Sequence, residues 1–513
     1  MKISNSARIT LRAAILTGLA SHLFALTNVL QNHDNIAVLN GYGAGVTSGR
    51  WFLNILGDFI GRVWGNYNLP FFNGLLCILL LSVSAAVIIE RFHITDLRLC
   101  AAWGGVFLAF PSVTSMLFYR YAAPYYALAV LLTVLSVWYT GRGKYGFLTA
   151  SVLSACAMGI YQAYVPLMAS LYILLLIQKI LEEDSQILLI VKEGCIYLGT
   201  LALSFLEYFI FLKASLFYYH ASLSGYQGID HMGKMALGEI PVLFKRMYGS
   251  FFKLPVENYY GVTETLVLKA SAALLGVFCA VFLICLLFKR KRSIAAGTLA
   301  LCLLFPAAVN SIILMCPDGN IYTLMIYASV CVFLMPIVLF DKVKDRAPLA
   351  GPESWQAGSR RWMAAAEKGM FLTFACLILN YVWLSNGNYT RMYFTTRQTE
   401  NYFNSLITEV KGTDQYSPSF KWAFIGKNIE DPLFDNPWGN SFDYGGSQKT
   451  LINFYSRDAF IRAYTGCHFL AADESETEAL KQDPFIRDMP CYPESGSIAV
   501  YKDMIIIKLS NEE

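Results

Sequence analysis

Stretches of about 20 consecutive apolar residues recur along this chain, and a helix needs that length to cross the hydrocarbon core of a bilayer. They lie at 9–30, 69–89, 99–118, 122–140, 145–161, 163–178, 194–216, 266–288, 294–315, 321–340 and 364–385, about eleven predicted transmembrane helices. The pair 145–161 and 163–178 forms one run too long for a single span, and Tyr161-Gln162 and Pro166 divide it into a tight hairpin. Charged residues make up 15% and hydrophobic residues 56% of the chain, against about 25% and 45–50% in a soluble domain. Water cannot accommodate that much apolar surface, which excludes a cytosolic enzyme, a disordered protein and a disulfide scaffold. The unbroken runs also argue against an outer-membrane barrel, whose strands alternate polar and apolar residues. A net charge of +4 gives no reason to expect a nucleic-acid partner.

Basic residues on short loops mark the cytoplasmic side. Lys2, Arg8 and Arg12 precede or open the first span. Alternate loops then carry Arg91 and Arg98, Arg142 and Lys144, Lys179 and Lys192, Lys289 to Arg292, and finally Lys342, Lys344, Arg346, Arg360 and Arg361. This pattern predicts a multi-pass membrane protein with its N-terminus inside and its C-terminus outside. The first run reads as an uncleaved anchor. Loops 31–68 and 217–265 and the tail 387–513 then lie outside. The expected organisation is an all-α polytopic membrane domain, 1–386, followed by a small extracytoplasmic α/β domain, 387–513. In the tail, the apolar runs Lys421 to Ile425, Ile498 to Tyr501 and Met504 to Leu509 alternate with turn formers and read as strands. The stretch 50–64 places Trp51, Ile55 and Phe59 at helical spacing, as in an amphipathic helix on the membrane surface; 235–252 reads similarly. Most of the 12 cysteines fall in spans. Cys467 and Cys491 fall in the tail, where a disulfide and two thiols are both open. No CxxC or His/Cys cluster suggests zinc, and neither a metal nor a cofactor is expected.

The chemistry concentrates in the first outer loop: Asn32-His33-Asp34-Asn35, then Gly41-Tyr42-Gly43-Ala44-Gly45, then Ser48-Gly49-Arg50-Trp51. A carboxylate at the membrane face can take a proton from a hydroxyl. An arginine holds phosphate oxygens in bidentate geometry, and a helix N-terminus adds positive potential. These parts suit transfer of a group from a phosphate-linked donor to a hydroxyl acceptor. The same residues also suit a plainer arrangement, with Asp34 capping a turn and Arg50 reaching to lipid headgroups.

This pattern resembles the first-loop signature of the bacterial type II Gtr glucosyltransferases, polytopic proteins related to O-antigen-modifying enzymes. Gly159-Ile160-Tyr161-Gln162-Ala163-Tyr164 resembles them too, as does the layout of helices followed by an outer tail. The resemblance covers roughly 10–340 and is weaker over the tail. Family members often carry two adjacent acids where this chain has Asp34-Asn35, which makes a two-acid or metal-binding arrangement less expected here. The resemblance implies a GT-C-like architecture and donation of a sugar from a polyprenyl phosphate at the outer membrane face. It implies that Asp34 is the general base on the acceptor hydroxyl and that Arg50 stabilises the departing phosphate, which needs electrostatic support more than a proton.

Arg120, flanked by Tyr119 and Tyr121, stands on an outer loop against the charge bias, either as a second phosphate contact or as an interfacial anchor. Tyr161 and Gln162 sit at an outer hairpin tip, within reach of sugar hydroxyls or serving as a turn. Glu207, an intramembrane carboxylate, is a functional candidate by default; Lys213, six residues on, is poorly spaced to pair with it. His22 reads as an interhelical donor and Asp318 as a tight-turn residue. Trp438, Tyr444 and Tyr455 either stack on sugars or form the tail's own core. The expected site is therefore Asp34 as catalytic residue, with His33, Asn35, Arg50, Trp51, Arg120, Tyr121, Tyr161, Gln162 and Glu207 as substrate contacts. The expected function is transfer of a hexose, glucose by the family's name, from a polyprenyl-phosphate-sugar to a cell-surface polysaccharide, with membrane lipid around the protein. The rival is a transporter or flippase of a lipid-linked glycan. Transporters place polar sites near the midplane and often within repeats, whereas here the polar clusters lie at the outer face and no repeat is evident.

Overall fold

The computed structural model describes the chain except residues 1–2, 38–40, 44, 66–67, 183–184, 226–236, 254–256, 258–264, 289, 317–320, 347–352, 428, 430–449 and 512–513. Of the residues singled out above, Lys2, Ala44, Lys289, Asp318, Trp438 and Tyr444 lie outside the described residues. The chain divides into two compact units. One comprises Met1–Thr27 and Asn40–Asn386, and the other comprises Asn28–Leu39 and Gly387–Glu513.

The first unit is a polytopic helical bundle. Among the described residues, nine helical segments are long and apolar enough to cross a membrane: Asn5–Thr27, Pro70–Arg91, Leu97–Phe118, Gln162–Ile180, Ile187–Tyr218, Leu266–Leu287, Arg292–Val309, Thr323–Asp345 and Arg361–Gly412. Two shorter apolar helices, Ala123–Tyr139 and Gly146–Ile160, fall where the remaining two expected spans lie. In chain order, α1 is Asn5–Thr27 and α2, which belongs to the second unit, is His33–Ala37. Then come α3 (Trp51–Val63), α4 (Pro70–Arg91), α5 (Leu97–Ala109), α6 (Pro111–Phe118), α7 (Ala123–Tyr139), α8 (Gly146–Ile160), α9 (Val165–Ile180) and α10 (Ile187–Tyr218). They are followed by α11 (Ile240–Lys253), α12 (Leu266–Leu287), α13 (Arg292–Val309), α14 (Ile312–Met315), α15 (Cys331–Asp345) and α16 (Glu353–Gly412).

Small residues let α1 approach its neighbours, as membrane packing favours. A Cβ on Gly104 would sit 2.5 Å from the Thr10 carbonyl oxygen. The His22 imidazole Nε2–H donates to the Leu108 carbonyl at 2.9 Å, the interhelical role expected for it. The segment read as one span at 99–118 is broken: Phe110 has an extended ψ of 136° and Pro111 opens α6, because proline disfavours helical geometry in the residue before it. The segment at 294–315 is likewise interrupted at Asn310, whose side-chain amide donates to the Met247 carbonyl at 2.9 Å.

The basic loops meet at one end of the bundle. Arg290 donates to the Leu181 and Glu182 carbonyls at 2.9 and 2.6 Å, and Arg346 reaches the Leu181 and Leu286 carbonyls. Lys344 pairs with Asp96 at 2.8 Å and Arg98 with Glu367 at 3.1 Å. Because α4 and α9 finish at that end, the α4 N-terminus and the turn before α9 lie at the other.

The second unit is a small β-containing domain. Its strands are β1 (Lys421–Ile425), β2 (Leu470–Ala471), β3 (Ile498–Tyr501) and β4 (Met504–Lys508), in the order β2-β1-β4-β3. β1 runs parallel to β2 and β4, and β3 is antiparallel to β4. Side chains alternate across a strand. Trp422, Phe424, Ile505, Ile507 and Leu509 accordingly face Tyr402, Phe403, Leu406 and Val410 of α16 and Phe460 and Ile461 of α17 (Phe454–Thr465). Ala423, Ile425 and Ile506 face Leu480 of α18 (Glu474–Lys481) and Ile486 of α19 (Pro484–Asp488). Ile36 of α2 is buried in the first of these cores. Cys467 and Cys491 are not bridged to each other.

Candidate active site

In the first unit, the chain entering α3 makes a short 3-10 turn, Val46–Ser48, then passes through Gly49 in the left-handed region, φ 72°. Left-handed backbone costs an L-residue about 1–2 kcal/mol, so glycine belongs there. It also belongs for space: a Cβ on Gly49 would lie 2.6 Å from both the Gln162 amide nitrogen and the Tyr208 hydroxyl. Those two side chains hold the turn. The Tyr208 hydroxyl donates to the Gly49 carbonyl at 3.0 Å. Gln162 donates to the Ser48 carbonyl at 3.1 Å and to the Tyr208 hydroxyl at 3.0 Å. The other glycines of the motif serve close approach as well. Gly43 (φ 84°) lies under the Tyr121 ring, 2.6 Å from an added Cβ, and Gly45 abuts Asn54. The run is therefore packed against side chains rather than open.

Arg50 follows as the N-cap residue of α3. Its guanidinium lies 4.9 Å from the centre of the Tyr161 ring, a cation–π distance. Tyr161 is nearly buried, with Tyr126 at 4.8 Å and Tyr164 at 5.5 Å between ring centres. Trp51 turns inward against Gly159, where a Cβ would stand 2.6 Å from its ring, and stacks on Phe211 at 4.9 Å. Its indole N–H is buried and has no hydrogen-bond partner among the described residues. Ile55 and Phe59, expected to share its stripe, remain exposed. Arg120 is only 5% exposed, and its carbonyl accepts from the Asn73 amide at 3.1 Å.

Further along α3, the Asp58 carboxylate accepts hydrogen bonds from the Tyr42 hydroxyl at 2.8 Å, the Asn54 amide at 3.1 Å and the Tyr219 hydroxyl at 3.1 Å. Burial, reinforced by the Asp58 charge, pushes the Tyr42 hydroxyl well above its ordinary pKa. Glu207 of α10 accepts from the Ser151 hydroxyl of α8 at 3.0 Å. Its other carboxylate oxygen is buried without a hydrogen-bond partner among the described residues.

In the second unit, Asn32 caps α2: its side-chain oxygen accepts from the Asn35 N–H at 2.8 Å. Asn35 is fully buried. The Asp34 side chain is 33% exposed, and its Oδ1 accepts from the Tyr455 hydroxyl of α17 at 3.0 Å. His33 Nε2 lies 3.4 Å from the same oxygen, and the His33 ring meets the Tyr455 ring edge-on at 6.0 Å.

Compared with protein-family models, residues 23–333 match the glucosyl transferase GtrII family. The chain belongs to the GtrII glucosyltransferase family. The match covers more than half of the 513 residues and includes every expected site residue. This GtrII enzyme is thus a membrane glucosyltransferase of GT-C type acting on a glycan substrate, and the family role implies a lipid-linked sugar donor. No curated protein and no solved structure matches the chain. Membership sets aside the transporter reading.

Within the GtrII enzyme, Arg50, Trp51, Tyr161 and Gln162 converge around the α8–α9 turn, and Tyr121 covers the glycine run. Arg120 lies on the loop between α6 and α7, and Glu207 is held separately against α8. His33, Asp34 and Asn35 are built into the second unit. Sequence reading missed Tyr208, which bridges Gly49 and Gln162, and Asp58 with its two tyrosines. The only sequence signal for Tyr208 is a hydroxyl inside an apolar run. Tyr455, expected to stack on sugar or fill a core, is half-exposed and donates to Asp34.

Proposed function

We propose that this GtrII enzyme takes a hexose, glucose by the family's activity, from a polyprenyl-phosphate-linked donor and attaches it to a cell-surface glycan at the outer face of the plasma membrane. In this reading Ala123–Tyr139 and Gly146–Ile160 also cross the bilayer, which gives eleven spans in a GT-C-like bundle followed by an extracytoplasmic α/β domain. The meeting of the basic loops at one bundle end supports a cytoplasmic N-terminus and an outer C-terminal domain. The exposed apolar face of α3, Ile55, Phe59, Val63 and Trp64, suits the membrane surface.

The observation that carries the proposal is the setting of Arg50. Its guanidinium is held against Tyr161 at the start of α3, at the bundle end opposite the basic loops. A cation at a helix N-terminus favours a phosphate, and the polyprenyl phosphate is the leaving group whose charge must be stabilised. Asp34 serves as general base on the acceptor hydroxyl, Arg120 as a second phosphate contact, and His33, Asn35, Trp51, Tyr121, Tyr161, Gln162 and Glu207 shape the substrate site. The test is glucosyl transfer by purified protein from polyprenyl-phosphate-glucose. Arg50→Gln is expected to raise the donor KM strongly, and an unchanged donor KM would remove Arg50 from the donor site.

A further inference from the structure

We propose that Tyr455 is a positioning residue for the Asp34 carboxylate, so that the C-terminal domain takes part in the transfer chemistry. The inference rests on the reading of Asp34 as general base and extends it to a residue more than four hundred positions away in the chain. Three contacts fix the short α2 segment that carries Asp34. Ile36 is buried with Tyr402, Phe403 and Leu406. The Gln31 amide donates to the Tyr464 hydroxyl, and that hydroxyl donates to the Val29 carbonyl at 3.3 Å. Asn32 caps the turn. With the backbone so held, the remaining freedom of Asp34 is its carboxylate rotamer, and the Tyr455 hydroxyl, 3.0 Å from Oδ1, restricts it.

His33 Nε2 approaches the same Oδ1, and the second oxygen, Oδ2, is assigned to the incoming hydroxyl. In the step, the acceptor hydroxyl gives its proton to Asp34 Oδ2 and its oxygen forms the bond to the anomeric carbon. The anomeric C–O bond to phosphate breaks, and its electron pair leaves with the phosphate. The other charged and phenolic groups of α17 are engaged elsewhere. Arg457 bonds Asp458 at 3.1 Å and lies over the Phe424 ring at 3.9 Å, Arg462 donates to the Phe469 carbonyl at 3.3 Å, and Tyr464 binds Gln31 and Val29.

Tyr455 is half-exposed, and Tyr455→Phe removes one hydroxyl while keeping the ring. The experiment measures kcat, donor KM and thermal midpoint for full-length wild type, Tyr455→Phe and Asp34→Asn, with polyprenyl-phosphate-glucose as donor. Loss of one hydrogen bond to a charged group lowers kcat about tenfold. The donor KM should stay within about twofold, since donor binding is not what the bond serves, and the thermal midpoint should fall by no more than a few degrees, the share of one exposed hydrogen bond in a chain of this size. A Tyr455→Phe protein with wild-type kcat would overturn the proposal while an inactive Asp34→Asn protein left the base assignment standing. A fully active Asp34→Asn protein would overturn both. A kcat loss accompanied by a larger fall in thermal midpoint or by a raised donor KM would assign Tyr455 to scaffolding and overturn its positioning role.

Discussion

Gly49→Ala concentrates the site's construction into one methyl group. The residue is left-handed, φ 72°, which costs an alanine about 1–2 kcal/mol. Its Cβ would stand 2.6 Å from both the Gln162 amide nitrogen and the Tyr208 hydroxyl, well inside van der Waals contact. At least one of these groups must move off, which gives up one or two of the bonds that tie Ser48 and Gly49 to the bundle. Each is worth about 1 kcal/mol, so the substitution should destabilise the protein by about 3 kcal/mol. Gly141 supplies the control: φ is 78° and no heavy atom lies within 4 Å of an added Cβ. Gly141→Ala should therefore lose only the conformational part, about 1–2 kcal/mol. Because Arg50 is the next residue, Gly49→Ala should also raise the donor KM, whereas Gly141→Ala should not. Thermal unfolding in detergent and donor-dependence of transfer measure both effects. Equal destabilisation by the two alanines, with equal donor KM, would refute the argument that Gln162 and Tyr208 hold the turn.

Two other outcomes follow from the same geometry. Arg50→Lys should restore little of the donor affinity lost in Arg50→Gln, because an ammonium lacks the planar fork that matches phosphate; full restoration in steady-state kinetics would show that charge alone suffices. In the C-terminal domain, the Asp473 carboxyl is held below its usual range chiefly by the Glu476 N–H, Glu476 by the Lys421 ammonium, and Asp483 by the Tyr501 hydroxyl. Depressed carboxyls stabilise the fold above their ordinary titration range and lose that contribution as pH falls through their lower folded values, so α18 and the β3–β4 hairpin should loosen below about pH 4. Hydrogen exchange of 470–508 in the full-length protein, corrected for the intrinsic rate, should accelerate there; unchanged protection would contradict it.

Element placement was largely written in hydropathy. The apolar runs locate the bundle helices, and Lys421 to Ile425 and Ile498 to Tyr501 are strands with the expected bounds. Periodicity reports the face a residue turns to solvent or lipid, and that is the information those elements need. What it could not report was long-range contact. The shift to polar composition at 386/387 reads as a domain boundary, and α16 runs past that point to Gly412, since a change in composition does not by itself end a helix. The sequence shows the glycines of the first loop, but not that Tyr121, Asn54 and Tyr208 fill the space that their missing side chains leave. The contacts of Tyr208 and Tyr455 were illegible because their partners, Gly49 and Asp34, are 159 and 421 positions away.

In the proposed reaction this GtrII enzyme moves glucose from a polyprenyl phosphate to a glycan, with Asp34 as the base. The most direct measurement supplies purified wild-type and Asp34→Asn proteins with radiolabelled polyprenyl-phosphate-glucose and a cell-envelope glycan extract. General-base catalysis contributes about 10²–10⁴-fold. Label is expected in the glycan with wild type, and a loss of that size with Asp34→Asn, at unchanged thermal midpoint. Transfer at equal rates by both proteins would contradict it.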